Sequence, residues 1–217
     1  MVATKLLLIL ALLAPPAWPW ADVLPAQQEQ PNSADDLVRE LRGFPASLPG
    51  IARSDGSIDP IEQRRQELYA RIRALGQGAL PALARGLTNS DVQIRRNVAF
   101  FLNVAAGSWS ALADSRLDIR SCLGELITAL HDSDARVRAL AAQAIGEIGP
   151  MAVSAVPGLV SLLSNPDEGA RNSACIGLTG IGPAAREALP ALQRALSDRS
   201  PDVRRFAQRA IDRIDVR

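Results

Sequence analysis

Lysine is nearly missing from this sequence: Lys5 is its only one, so the other 23 basic residues are arginines, set against 23 acids. A net charge this close to zero, with acids interleaved among the arginines throughout, excludes the clustered basic excess that holds phosphates. Nucleic acid is therefore not an expected partner, and neither is electrostatic attachment to a membrane surface. Histidine occurs once, at His131, which removes metal sites built on several imidazoles. Its place at the end of a predicted helix makes it a turn residue. Cysteine occurs only at Cys122 and Cys175, too few for a disulfide framework. Aromatic residues are scarce, while Ala, Leu and Arg are abundant, so the chain reads as mostly helical.

The first residues stand apart from the rest. Met1 to Lys5 carries one positive charge, Leu6 to Ala14 is unbroken apolar sequence, and a Pro/Trp/Ala stretch leads to the first acid, Asp22. This is the pattern of a secretory signal peptide spanning 1–21, with cleavage after Ala21 or, alternatively, after Ala26. The uncharged span from Leu6 to Ala21 is shorter than the roughly 20 residues that cross a bilayer, and Pro15, Pro16 and Pro19 break a helix there. An exported protein, periplasmic or secreted and without stable membrane insertion after cleavage, is the expectation. In such a compartment Cys122 and Cys175 could pair. Their places in two different repeats, one opening a helix and one in mid-helix, favour two free buried thiols over a bridge.

After a flexible linker over 22–34, the remainder repeats. Four stretches, Leu80 to Ala105, Leu123 to Ile148, Val156 to Ile181 and Leu189 to Ile214, each begin with an aliphatic residue followed by leucines three and seven positions on. That spacing makes one apolar helical stripe. Seven residues later stands an arginine pair, Ile94-Arg95, Val137-Arg138, Ala170-Arg171 or Val203-Arg204, which opens a second helix. Asp91, Asp134, Asp167 and Ser200 precede these arginines by four residues, where a side-chain oxygen caps a helix start. Gly149-Pro150 and Gly182-Pro183 read as stops, with glycine in a left-handed C-cap and proline preventing continuation. Ala141, Ala174 and Ala207 are small enough to let second helices approach closely. One such helical pair cannot bury its own stripe, so neighbours must stack into a solenoid.

The "LP" openings at Leu80-Pro81 and Leu189-Pro190, the "D..VR" turn of Asp134 to Arg138 and the "A..AI..IG" ending of Ala141 to Gly149 resemble the HEAT-repeat family, specifically its short bacterial HEAT-like variety, also found in phycobilin lyases. The resemblance covers Leu68 to Ile214. It implies an all-α fold, a right-handed α-α superhelix of about four helical hairpins (77–106, 120–149, 153–182, 186–217). A partial capping unit at 35–76 precedes them, with a short first helix near Asp36 to Leu41, an irregular loop from Gly43 to Ser57, and a second helix starting at Asp59-Pro60. An insertion at 107–119 separates the first two hairpins. In the family, an Asp or Asn at the inter-helix turn pairs with the repeat arginine. The resemblance thus implies a structural ladder of Asn89, Asp132, Asn165 and Asp198 with Arg95, Arg138, Arg171 and Arg204, in preference to an anion-binding row.

Positions one, five and eight after each arginine are expected to face away from the core. They include Arg96, Phe100 and Asn103, then Gln143, then Asn172, Ile176 and Thr179, and finally Arg205 and Arg209. A solvated face has no need of Phe100 or Ile176, so this strip is a candidate for binding a partner segment. Trp109, the one tryptophan beyond the signal, lies in the insertion and either contacts a partner or covers a helix edge. The sequence holds no G-x-S-x-G, H-E-x-x-H or glycine-rich phosphate loop. One histidine cannot build the two-iron site of HEAT-like deoxyhypusine hydroxylases, and the export signal speaks against a phycobilin-lyase role inside the cell. The expectation is a non-catalytic protein-binding scaffold without cofactor. The alternatives are an accessory subunit of an enzyme, of lyase-chaperone type, that holds a substrate or chromophore, and a structural spacer.

Overall fold

Helix caps set the register of everything that follows. The structure is a computed structural model that describes residues 33–44, 59–107 and 117–216; the signal segment, Trp109 with most of its insertion, and the loop before Ser57 lie outside the described residues. Ser33 accepts the Asp36 N–H and starts α1 (Ala34–Glu40). Asp59 does the same for Ile61, with Pro60 at the first helical position where a missing N–H costs nothing, and starts α2 (Pro60–Ala74).

Four hairpins follow: α3 (Leu80–Leu87) with α4 (Val92–Ala106), α5 (Leu123–Ala129) with α6 (Ala135–Ile148), α7 (Val156–Leu162) with α8 (Glu168–Ile181), and α9 (Leu189–Ala195) with α10 (Pro201–Ile214). No strand occurs among the described residues. Asp91, Asp134, Asp167 and Ser200 are the N-caps of the four second helices, each side chain accepting a first-turn N–H, at 2.8 Å for Asp91 and Asp167. Each such cap stabilises its helix by about 1 kcal/mol.

The Gly-Pro pairs end α6 and α8 as the spacing predicts, with Gly149 and Gly182 as the C-caps, but the cap is not the left-handed helical one. Gly149 has φ 74° and ψ −148°, and Gly182 has φ 66° and ψ −142°. Those values lie outside the left-handed helical cap, in a region open essentially to glycine. The proline then begins a 3-10 helix, Gly149–Ala155 or Gly182–Ala188, that leads directly into the next first helix. The terminator is therefore also a bend, with a short helical lead-in to the next hairpin. Ala135–Leu162 is apolar enough by composition to cross a bilayer, but this bend divides it into two solenoid helices.

Successive second helices pack side by side, α4 on α6, α6 on α8 and α8 on α10, and each closes on the first helix of its own hairpin. The leucine stripe Leu83, Leu126, Leu159 and Leu192 is fully buried along this stack, as are Ala141, Ala174 and Ala207. Burying each leucine contributes about 1.5–3 kcal/mol. The closest approach is made by glycines. A Cβ on Gly177 would lie 2.6 Å from the Ala142 carbonyl oxygen, and one on Gly180 would overlap the Gly146 backbone. α6 and α8 thus touch backbone to backbone. At the N-terminal end α1 lies on α3, with Asn97 of α4 donating to the Leu41 and Phe44 carbonyls at 2.9 Å.

Candidate functional site

The inter-helix turns carry the most regular chemistry. In every hairpin the repeat arginine donates from Nη1 to two carbonyls of its own turn: Arg95 to Asn89 at 2.8 Å, Arg138 to Asp132 at 2.8 Å, Arg171 to Asn165 at 2.9 Å and Arg204 to Asp198 at 2.7 Å, with a second bond to the following residue. The remaining N–H edge points to the next hairpin. Arg95 grips Asp132 with Nε at 2.7 Å and Nη2 at 3.0 Å, and Arg171 grips Asp198 with the same atoms at 2.8 and 3.0 Å. Arg138 meets Asn165, which offers one oxygen at 3.4 Å and leaves the arginine Nε buried without a partner. Side-chain rungs therefore join neighbouring hairpins, while the contacts within a hairpin run to backbone. Among the described residues no arginine side chain reaches that of Asn89, and no acid reaches Arg204.

These rungs are largely shielded, with the Arg171 and Asp198 side chains 5% and 12% exposed. The Arg171 hydrogen bonds hold the Asp198 carboxyl below its ordinary value, and Asp198 raises Arg171 in turn. Asp134 has two duties, capping α6 and pairing with Arg96, whose Nε donates to it at 3.0 Å. The Arg96 bond likewise lowers the Asp134 carboxyl.

The strip along the second helices is partly as the spacing predicts and partly different. Asn103 donates to Gln143 at 3.1 Å, and Gln143 donates to Ser173 at 3.0 Å, so three neighbouring helices share one polar row. Asn172, Ile176 and Thr179 are half-buried beside it, with Thr179 donating to the Cys175 carbonyl and the Asn172 oxygen lacking a hydrogen-bond donor. Arg205 and Arg209 are exposed.

Phe100 is the correction: it is 5% exposed and faces the core. Tyr69 of α2 lies 6.4 Å away ring to ring, and the Arg65 guanidinium stands 5.8 Å over the Phe100 ring. The capping helix covers the position that is open in the later hairpins. Sequence spacing alone also missed Ser173 and Phe206. Both stand two residues after the ladder arginine, as does Asn97, and that shared offset was the available signal. Trp109 lies outside the described residues.

Cys122 and Cys175 are free and buried, and burial pushes their thiols up to about 11 and about 12. Thiols held so far above neutral pH are poor nucleophiles. Among the described residues no group of three or more His, Cys, Asp or Glu is placed to hold a metal ion.

Stacked helical hairpins tied by side-chain rungs, with an extended strip along the second helices, define an α-solenoid repeat scaffold. The sequence pattern of the family described as HEAT repeats matches residues 80–178 and 156–216, and the chain belongs to that family. No curated protein matches. Among solved structures, the chain is similar to the complex of CpcE and CpcF of phycocyanin lyase from Nostoc sp. PCC7120, with TM-score 0.56 and 20% identity over 93% of this chain and 70% of that one. It is also similar to a designed armadillo repeat protein in complex with the peptide (KR)4, with TM-score 0.56 and 20% identity over 84% and 82% of the two chains. An engineered protein matches at TM-score 0.52 and 25% identity, over 83% and 88%. At these identities the two natural and designed neighbours speak for the shared solenoid fold.

Proposed function

We propose that this chain is an exported, non-catalytic scaffold that binds a segment of a partner protein along the strip on α4, α6, α8 and α10. The observation that carries the reading is the strip itself. Hydrogen-bonded Asn103 and Gln143 lead to half-buried Ile176 and Thr179, then to exposed Arg205 and Arg209. Apolar and polar groups interleaved on rigid helices suit a polypeptide, whose side chains and backbone alternate in the same way. The strip residues are amides, a hydroxyl, an aliphatic and guanidiniums, none of them a base matched to neutral pH. The peptide carried by the designed armadillo neighbour supports this use of the fold, and the signal-peptide pattern of 1–21 supports export.

The test is crosslinked capture from the envelope or secreted fraction with wild type beside an Ile176→Asp, Gln143→Ala variant whose helical circular dichroism is intact. A stoichiometric partner kept by wild type and lost by the variant is the expected result; equal capture by both would move function off the strip. The likeness to the phycocyanin lyase complex favours a second reading, an accessory subunit that holds a chromophore or substrate for another protein. A visible absorption band in the purified native protein would select that reading.

A further inference from the structure

The first position of the strip is closed by a helix that packs unlike the others. Phe100 stands in the register of Gln143 and Ile176, which are half-buried, yet it is buried because α2 lies across it. The later second helices meet at close range, down to the backbone contact of α6 with α8. The backbones of α2 and α4 make no such approach. Side chains fill the space between them: the Tyr69 ring lies 5.0 Å from that of Phe101, and the Arg65 and Arg73 guanidiniums stand 5.8 and 6.0 Å over Phe100 and Phe101.

Two polar features make closure of α2 costly. The Tyr69 hydroxyl is buried without a hydrogen-bond partner, so closing strips its water and returns nothing. Glu62 and Arg65 form a buried ion pair whose charges also lose water on closure. Both belong to α2 and stand one turn apart, so lifting the helix rehydrates the pair without breaking it. Holding α2 down among the described residues are the fully buried Leu68 and Ile72 and an ion pair of Arg71 with Glu40 of α1 at 3.3 Å. α1 is anchored separately, through Asn97 to the Leu41 and Phe44 carbonyls and through Asp35 to Arg85 at 2.7 Å. Between α2 and α3 stand Gly76, with φ 56°, and Gly78, neither having a neighbour within 4 Å of its absent Cβ. Glycines so placed let a helix change direction.

We propose that α2 is a releasable cover on the strip, pivoting at Gly76 and Gly78, whose lifting presents the Phe100 ring to an apolar side chain of the partner segment. The inference rests on the strip reading above and adds its regulation, since the strip gains its aromatic position only in the open state.

Hydrogen exchange of the full chain, read by mass spectrometry, tests the cover without a partner. Amides of α2 should exchange at least about 100-fold faster than those of α8. Tyr69→Phe removes the unpaired hydroxyl and should slow α2 about fivefold, whereas Phe100→Ala should speed it and leave α8 unchanged. Exchange of α2 as slow as that of α8, or faster exchange in Tyr69→Phe, would overturn the proposal. Leu68→Asp, which loosens the cover, should raise the fluorescence of 1-anilinonaphthalene-8-sulfonate several-fold while α8 stays protected, and adding Phe100→Gln should remove the rise. No rise, a rise that survives Phe100→Gln, or a loss of α8 protection in Leu68→Asp would each show that α2 is not a separate cover on Phe100. Ile176→Asp should leave α2 exchange unchanged while losing the partner, so failure of the cover and failure of the strip are separate results.

Discussion

A single oxygen separates the strong rungs of the ladder from the weak one. Asp132 and Asp198 each give an arginine two charged acceptors, whereas Asn165 gives Arg138 one neutral acceptor at 3.4 Å. Asn165 also accepts the Asp167 N–H at 3.0 Å, the same turn bond that Asp132 and Asp198 make, so the backbone already suits an aspartate there. Asn165→Asp should therefore stabilise the fold by about 1 kcal/mol, raising Tm by a few degrees in a chain of this size. The sign with pH follows from Asp198, whose folded carboxyl is held below its ordinary value by Arg171. A depressed carboxyl contributes above the unfolded pKa and loses that contribution as pH falls through the folded value. The gain in Tm should be complete at pH 7 and vanish under acid conditions below the ordinary carboxylate range; a gain that persists there would mean the rung is not ionic.

Between elements, the decisive contact is helix α6 against α8. The alanines of the repeat permit approach, but Gly146, Gly177 and Gly180 bring the two backbones together. Gly177→Ala should cost about 1–3 kcal/mol, because the added methyl meets the Ala142 carbonyl and the helices must separate. Gly124, inside α5, has nothing within 4 Å of its absent Cβ. Gly124→Ala should instead stabilise by about 0.5–1 kcal/mol through helix propensity. Denaturant melts of the two variants would check this pair, and equal effects would show that the glycine contact is not tight. Helix starts were legible in the sequence at this scale because a cap is read from four residues. The 3-10 lead-ins after Gly149 and Gly182 were not, since Gly-Pro marks a bend without saying what the chain does next.

Across the whole molecule, the hairpins form one stack in which both thiols are enclosed. Cys122 and Cys175 should resist a thiol reagent in native buffer and react together when the fold is lost, so labelling kinetics report global opening. Rapid native labelling of either would contradict the burial seen here.

The order of helices, their caps, the leucine stripe and the repeat itself follow from the sequence alone, because each depends on residues within one turn or one hairpin. Where the strip is open followed from the tertiary structure. Phe100 holds the position that Gln143 and Ile176 hold in later hairpins, yet it is buried because α2, more than thirty positions earlier in the chain at Tyr69, lies over it. The reach of each rung to the next hairpin was likewise decided by stacking. A periodic pattern states what every unit can do; only its neighbours determine which of those groups are satisfied and which remain free to bind.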